Sequence, residues 1–172
     1  IANYAHVTKW TAQINISDRI PELMRHAFSR LRTASGAPVL LEVPYDVLTE
    51  EVGELDLSAR YDSGYQSSGD PVDVKNAVTA LLNARNPVIH TGQGILDSEA
   101  SVELLEFAEL VQVPVMTITP GKSGFPENHQ LSIGNGATTA TGMVDHFLEK
   151  ADLVFGIGSN FYRSLMSVEI PK

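Results

Sequence analysis

Apolar positions recur along the chain with two periods, and their alternation outlines a succession of helices and strands. Ile20, Leu23, Met24, Ala27, Phe28 and Leu31 fall at helical spacing, with Asp18 and Pro21 at the start and Gly36 just past the end. This spacing predicts one amphipathic helix. After the turn Ser35-Gly36-Ala37-Pro38, the run Val39-Leu40-Leu41-Glu42-Val43 is short, β-branched at both ends and stopped by Pro44, as expected of a buried strand. A second series opens at Asp70, an N-cap followed by Pro71 at the first helical position and Asp73 in the first turn, where the helix dipole favours acid. Val74, Ala77, Val78, Leu81 and Leu82 form its expected buried stripe, and Asn86-Pro87 ends it. Val88–Thr91 reads as a strand, about Ser98 to Val111 as a helix with Ala100, Leu104, Phe107, Ala108 and Val111 inward, and Pro114–Ile118 as a strand. Met143–Lys150 then reads as a helix and Leu153–Gly158 as a third strand. Strands alternating with helices predict an α/β fold with a Rossmann-like parallel sheet flanked by helices.

Between the two series, from Thr49 to Gly69, the periodicity fades into acids and small polar residues, which is linker composition. The chain therefore divides into the end of one α/β domain (1–48), a linker (49–69) and part of a second domain (70–172). A lone helix and strand cannot enclose a core. The helix Ile20–Leu31 and the strand Val39–Val43 are accordingly expected either to self-associate with another copy of the chain or to be weakly ordered. Ile1 is followed by no signal pattern, and Val168-Glu169-Ile170-Pro171-Lys172 stops in what reads as a loop, so a segment of a longer polypeptide is expected.

Charge narrows the partners. The 172 residues carry 12 Lys+Arg against 21 Asp+Glu, a net charge of −9. Seven acids between Glu42 and Asp62 are offset only by Arg60, which argues against binding a nucleic-acid backbone. The first 35 residues depart from this trend, with Lys9, Arg19, Arg25, Arg30 and Arg32 against Asp18 and Glu22. No apolar run approaches the roughly 20 residues of a membrane span. Zero Cys removes disulfides and thiolate chemistry and suits a cytoplasmic, reducing compartment.

In an open parallel sheet, ligands bind beyond the carboxyl ends of the strands. Three such ends here are small and polar. Gly92-Gln93-Gly94 follows the first strand, Thr119 with Pro120-Gly121-Lys122-Ser123-Gly124 the second, and Ser159 and Asn160 come after Gly158 at the third. Glycine lets backbone N–H groups approach a phosphate, while Gln93, Thr119, Ser159 and Asn160 offer neutral hydrogen bonds, so the set outlines a nucleotide-sized crevice. Taken alone, Gly92-Gln93-Gly94 also fits an ordinary tight turn, because Asp97 stands where a dinucleotide fingerprint has its third glycine. Gly121-Lys122-Ser123 is not a P-loop, since Met116 occupies the place of that motif's first glycine. The five histidines His6, His26, His90, His129 and His146 form no HExxH pattern, and no metal site is expected from them. Lys9-Trp10 precedes the first helix; Trp10 reads as a partly buried anchor, with a substrate-channel role for the segment as the alternative.

These pieces in this order resemble the thiamine-diphosphate enzymes of the acetolactate synthase, pyruvate oxidase and benzoylformate decarboxylase type. Val7-Thr8-Lys9, Arg19-Ile20-Pro21-Glu22 and above all Pro38-Val39-Leu40-Leu41-Glu42-Val43-Pro44-Tyr45-Asp46-Val47 are similar to the end of the family's pyrimidine-binding domain. Asn86-Pro87-Val88-Ile89, Val113-Pro114-Val115, Phe125-Pro126-Glu127-Asn128-His129, Ala151-Asp152-Leu153-Val154 and Gly156-Ile157-Gly158-Ser159 are similar to the start of its central domain. The resemblance implies decarboxylation or carboligation of a 2-oxo acid by a homo-oligomer using thiamine diphosphate and magnesium. It also implies that the activating glutamate lies upstream of the matched segment and the metal-binding motif downstream, so these residues alone are expected to be inactive. The central domain of such enzymes holds FAD, ADP or a CoA nucleotide, or none, so a nucleotide-free structural and assembly role stays open. A stand-alone nucleotide-binding module is the reading independent of the family.

Overall fold

The computed structural model describes residues 1–32, 36–54, 68–137, 139–162 and 167–170. Ser35, Pro171, Lys172 and most of the expected linker lie outside the described residues. The chain separates into two compact units, Ile1–Ser68 and Gly69–Lys172.

In the first unit, strand β1 (Trp10–Gln13) precedes helix α1 (Ile20–Arg32), strand β2 (Val39–Glu42) and the short helix α2 (Tyr45–Leu48). β1 and β2 pair in parallel, Trp10 opposite Val39 and Gln13 opposite Glu42. The expectation that α1 and β2 stand without a core is corrected by β1. Its four residues alternate too weakly in hydropathy to announce a strand, yet with it the unit encloses a small core of Ile14, Leu23 and Val47. Trp10, Ala12, Ile20 and Leu41 pack half-buried around that core.

The second unit opens with α3 (Pro71–Asn83), whose first turn is held as the sequence indicates: Asp70 Oδ1 accepts N–H bonds from Val72 (2.7 Å) and Asp73 (3.4 Å). Such a cap is worth about 1 kcal/mol. The expected stripe is buried only in part. Leu81 is 2% exposed, whereas Val74 and Leu82 are 51% and 69% exposed, so α3 touches the sheet by one end of its apolar face.

Four parallel strands follow: β3 (Pro87–Thr91), β4 (Val115–Thr117), β5 (Ser132–Asn135) and β6 (Leu153–Ile157), in the spatial order β5-β4-β3-β6. The helix read from about Ser98 begins at Ser101 as α5 (Ser101–Val111), and a short helix that the pattern does not announce, α4 (Gly94–Asp97), precedes it, with Glu99 at φ +54° between the two. α6 (Gly142–Lys150) connects β5 to β6. Successive residues of β3 face opposite layers, as strand geometry requires. Ile89 joins Leu81, Ile95, Leu104, Ala108, Val113, Val115 and Phe125 in one core, while Val88 joins Met116, Ile133, Val144 and Leu148 in the other. Helices thus cover both faces of a doubly wound sheet. β5 is the element that the sequence pattern does not reveal: Ser132-Ile133-Gly134-Asn135 has poor strand formers and a register shift opposite Val115/Met116.

Candidate functional site at the carboxyl edge of the sheet

Chain order turns back between β3 and β6. β3 leads outward through β4 to β5, and α6 then returns the chain to the other side of β3. A reversal of this kind is where open α/β sheets place ligands. The loops at this point are Gly92–Gly94 and Gly158–Asn160, and they meet backbone to backbone. A Cβ at Gly92 would lie 2.5 Å from the Gly158 carbonyl oxygen and 2.8 Å from Ser159 Cα. At Gly94 it would lie 2.8 Å from Gly158 Cα, and at Gly121 it would lie 2.7 Å from the Gly92 carbonyl. Three strand ends therefore converge through glycines, and Gly158 itself has φ +60°, a conformation that glycine adopts without strain.

This packing also uses donors expected to face a ligand. The Gly92 N–H donates to the Ile157 carbonyl (3.2 Å) and the Gly94 N–H to the Gly158 carbonyl (2.9 Å). Gly92 is buried and Gln93 exposed, with the Gln93 Nε2 donating to Asp97 Oδ1 at 3.1 Å. Ser159 Oγ accepts from the Phe161 N–H (3.2 Å) and Asn160 Oδ1 from the Tyr162 N–H (3.0 Å), so both side chains stabilise their own loop. Thr119 is exposed, its Oγ1 3.4 Å from Asn135 Oδ1. Gly92, Gly94 and Ser159 are brought together; Thr119 sits on the β4 side with Asn135.

Residues unmarked by the sequence carry the unmet polarity. His90 Nδ1, Thr91 Oγ1 and Asn135 Nδ2 are buried without a hydrogen-bond partner, all on the last two residues of β3 or the last of β5. Thr91 lies beside Thr117, and Thr117 beside Asn135, so a row of neutral polar side chains crosses the end of the sheet. Buried polar atoms of this kind are normally satisfied by water or a ligand group. His90 is 4% exposed, and burial pushes its imidazole below the ordinary histidine range. Phe161, at φ +53°, stacks on it with ring centroids 5.0 Å apart, in the space left by the missing side chain of Gly156. Only the β3 strand reading could have drawn attention to His90 and Thr91; Asn135 lay hidden with β5. Lys122 is exposed and pairs with Glu127 at 3.5 Å.

A strand order of this type on a parallel sheet, covered by helices on both faces, defines a Rossmann-like α/β domain. Residues 74–171 match the family model of the thiamine pyrophosphate enzyme central domain, and the chain belongs to that family. It is 35% identical over 163 residues to a probable acetolactate synthase large subunit of Methanocaldococcus jannaschii, a match covering 90% of this chain and 27% of that protein. It is 32% identical over 158 residues to a glyoxylate carboligase of Escherichia coli O157:H7, covering 90% and 26%. The X-ray structure of a protein from Mycobacterium smegmatis assigned as a thiamin diphosphate-dependent enzyme superposes with a TM-score of 0.63 at 22% identity, over 86% of this chain and 28% of that one. At that identity the likeness concerns the fold. The chain spans about a quarter of the length of these relatives.

Proposed function

We propose that this chain is part of a thiamine-diphosphate-dependent 2-oxo acid decarboxylase or carboligase of the acetolactate synthase kind, residues 70–172 serving in its central domain and residues 1–48 closing its pyrimidine-binding domain. The observation that carries this reading is the 163-residue match to an acetolactate synthase large subunit, because it covers 90% of the chain. When bound, thiamine diphosphate supplies the electron sink for cleaving the bond to the carboxylate. Among the described residues no three His, Asp or Glu side chains converge. In this reading the steps of that chemistry belong to other parts of the enzyme. The same reading makes the enzyme a cytoplasmic homo-oligomer; among the described residues no helix is long and apolar enough to cross a membrane.

In this reading the crevice between β3 and β6 takes FAD or ADP, with Gly92, Gln93, Gly94, Thr119, Ser159 and Asn160 around it. The unpartnered Thr91 Oγ1 at the end of β3 supports it, since a neutral polar atom at that strand end suits a ribose or ribityl hydroxyl. The engaged N–H groups of Gly92 and Gly94 favour the alternative, a nucleotide-free assembly domain in which the glycines serve packing. Calorimetric titration of the complete enzyme with ADP and with FAD separates the two: a Kd below about 1 mM supports the first, and no binding of either supports the second.

The catalytic reading has its own test. The 172-residue chain with thiamine diphosphate, magnesium and pyruvate should release no carbon dioxide above blank. The complete enzyme should convert pyruvate to acetolactate. Turnover by the chain alone at about 1 per second or faster would overturn the assignment. A complete enzyme condensing glyoxylate in preference to pyruvate would move it toward the carboligases.

A further inference from the structure

The first unit carries a cleft that none of the preceding chemistry uses. It has a volume of about 350 Å³ and is lined by Trp10 of β1 and by His26, Ser29 and Arg30 of α1. That volume lies at the small end of the range for ligand sites, which runs from about 300 to 1,000 Å³. The three helical residues stand at i, i+3 and i+4, a spacing that places them on one face of α1. Trp10 is half-buried, anchored against the Ile14, Leu23 and Val47 core, and its indole meets the His26 imidazole nearly at right angles, 81° between planes and 6.4 Å between centroids. The two rings form an aromatic corner at whose side stands a guanidinium.

Charge identifies what such a corner would take. Arg30 is exposed and, among the described residues, makes no ion pair, unlike Arg19, which is engaged by Glu22. The surrounding stretch is the one basic part of an acidic chain, with Arg25 and Arg32 on the same helix. Arg30 and Arg32 lie in the last turn of α1, where the helix dipole favours positive charge and holds it in place. A planar guanidinium binds carboxylate or phosphate oxygens through paired N–H groups, and perpendicular aromatic walls accept a flat ring by stacking on one and meeting the edge of the other. We propose that the Trp10–His26–Arg30 cleft binds a single-ring aromatic anion, its ring in the aromatic corner and its anionic group on Arg30.

The experiment is direct because Trp10 is the only tryptophan in the chain, so its emission reports the site without substitution. The chain is titrated with benzoate and with phenyl phosphate, which separate a carboxylate from a phosphate preference, and with acetate and inorganic phosphate as ring-free controls. Saturable quenching by an aromatic anion with a Kd below about 1 mM is expected, at least about tenfold tighter than for its control. Arg30→Gln, at an exposed position, should weaken binding by about tenfold or more with an unchanged circular dichroism spectrum, and Arg30→Lys should recover part of the loss. Calorimetry on Trp10→Phe, which keeps a ring, should show binding weakened less than in Trp10→Ala. Quenching that rises linearly without saturating, equal affinity for the ring-free controls, or an affinity unmoved by Arg30→Gln would each overturn the proposal.

Discussion

Gly92 and Gly158 face each other so closely that one added carbon does not fit: a Cβ on Gly92 would stand 2.5 Å from the Gly158 carbonyl oxygen, which is backbone and cannot swing aside. Gly92→Ala is therefore expected to destabilise the second unit by about 1–3 kcal/mol, the range for overpacked sites. Gly142→Ala is the control. Its Cβ would meet nothing within 4 Å at the start of α6, and it should be neutral or slightly stabilising. Urea unfolding of both variants checks the pair, and equal midpoints would refute the close approach.

Asp152 ties the loop before β6 to the loop before β3. Its carboxylate accepts the Arg85 N–H and the Asn86 N–H, each at 2.8 Å, and these bonds, Arg85 first, hold it below the ordinary aspartate range. A carboxylate with a lowered folded-state value contributes stability that is present above its unfolded value, about pH 3.9, and is lost as pH falls through the folded value. Asp152→Asn should consequently lower the urea midpoint at neutral pH, with a gap to the parent chain that narrows in acid. A gap constant from pH 7 down to pH 2 would argue against the charge-assisted bonds.

His90 has the opposite chemistry and a different window. Burial holds its imidazole neutral, so below about pH 6.5 the unfolded chain takes up a proton that the folded chain refuses. Stability from this group is present above that pH and declines as pH falls toward the folded value. NMR titration should find the His90 ring protonating at a lower pH than a free histidine. His90→Leu removes the unpartnered Nδ1 and should be at least as stable as the parent chain at pH 5.5. A ring that titrates at or above the free value would reject the sealed environment.

Much of the architecture could be read from local chemistry, and the failures have definite causes. The Asp70-Pro71 start of α3 and the strand read over Val88–Thr91 carry their signal in neighbouring residues; the first forms where the pattern places it, and the second forms with Pro87 added at its start. β1 and β5 do not carry it. Trp10-Thr11-Ala12-Gln13 and Ser132-Ile133-Gly134-Asn135 are too short and too mixed to declare a period, and each becomes a strand through its partner's ladder. The short helix α4 is likewise unannounced, since Gly94–Asp97 is a single turn and Glu99 turns left-handed before α5 begins.

The sequence by itself determined the class of fold, the positions of the strand ends and the clustering of small polar residues there, because hydropathy period and glycine content are properties of consecutive residues. Tertiary structure alone decided what those residues do. Whether the Gly92 and Gly94 N–H groups face a ligand or a carbonyl depends on β6, which is distant in the chain and adjacent in the sheet, and here the Ile157 and Gly158 carbonyls take both. The same pairing of distant strands buried His90, Thr91 and Asn135 with atoms unsatisfied. Burial and hydrogen-bond partnership are relations between segments, so they exist only once the sheet has assembled.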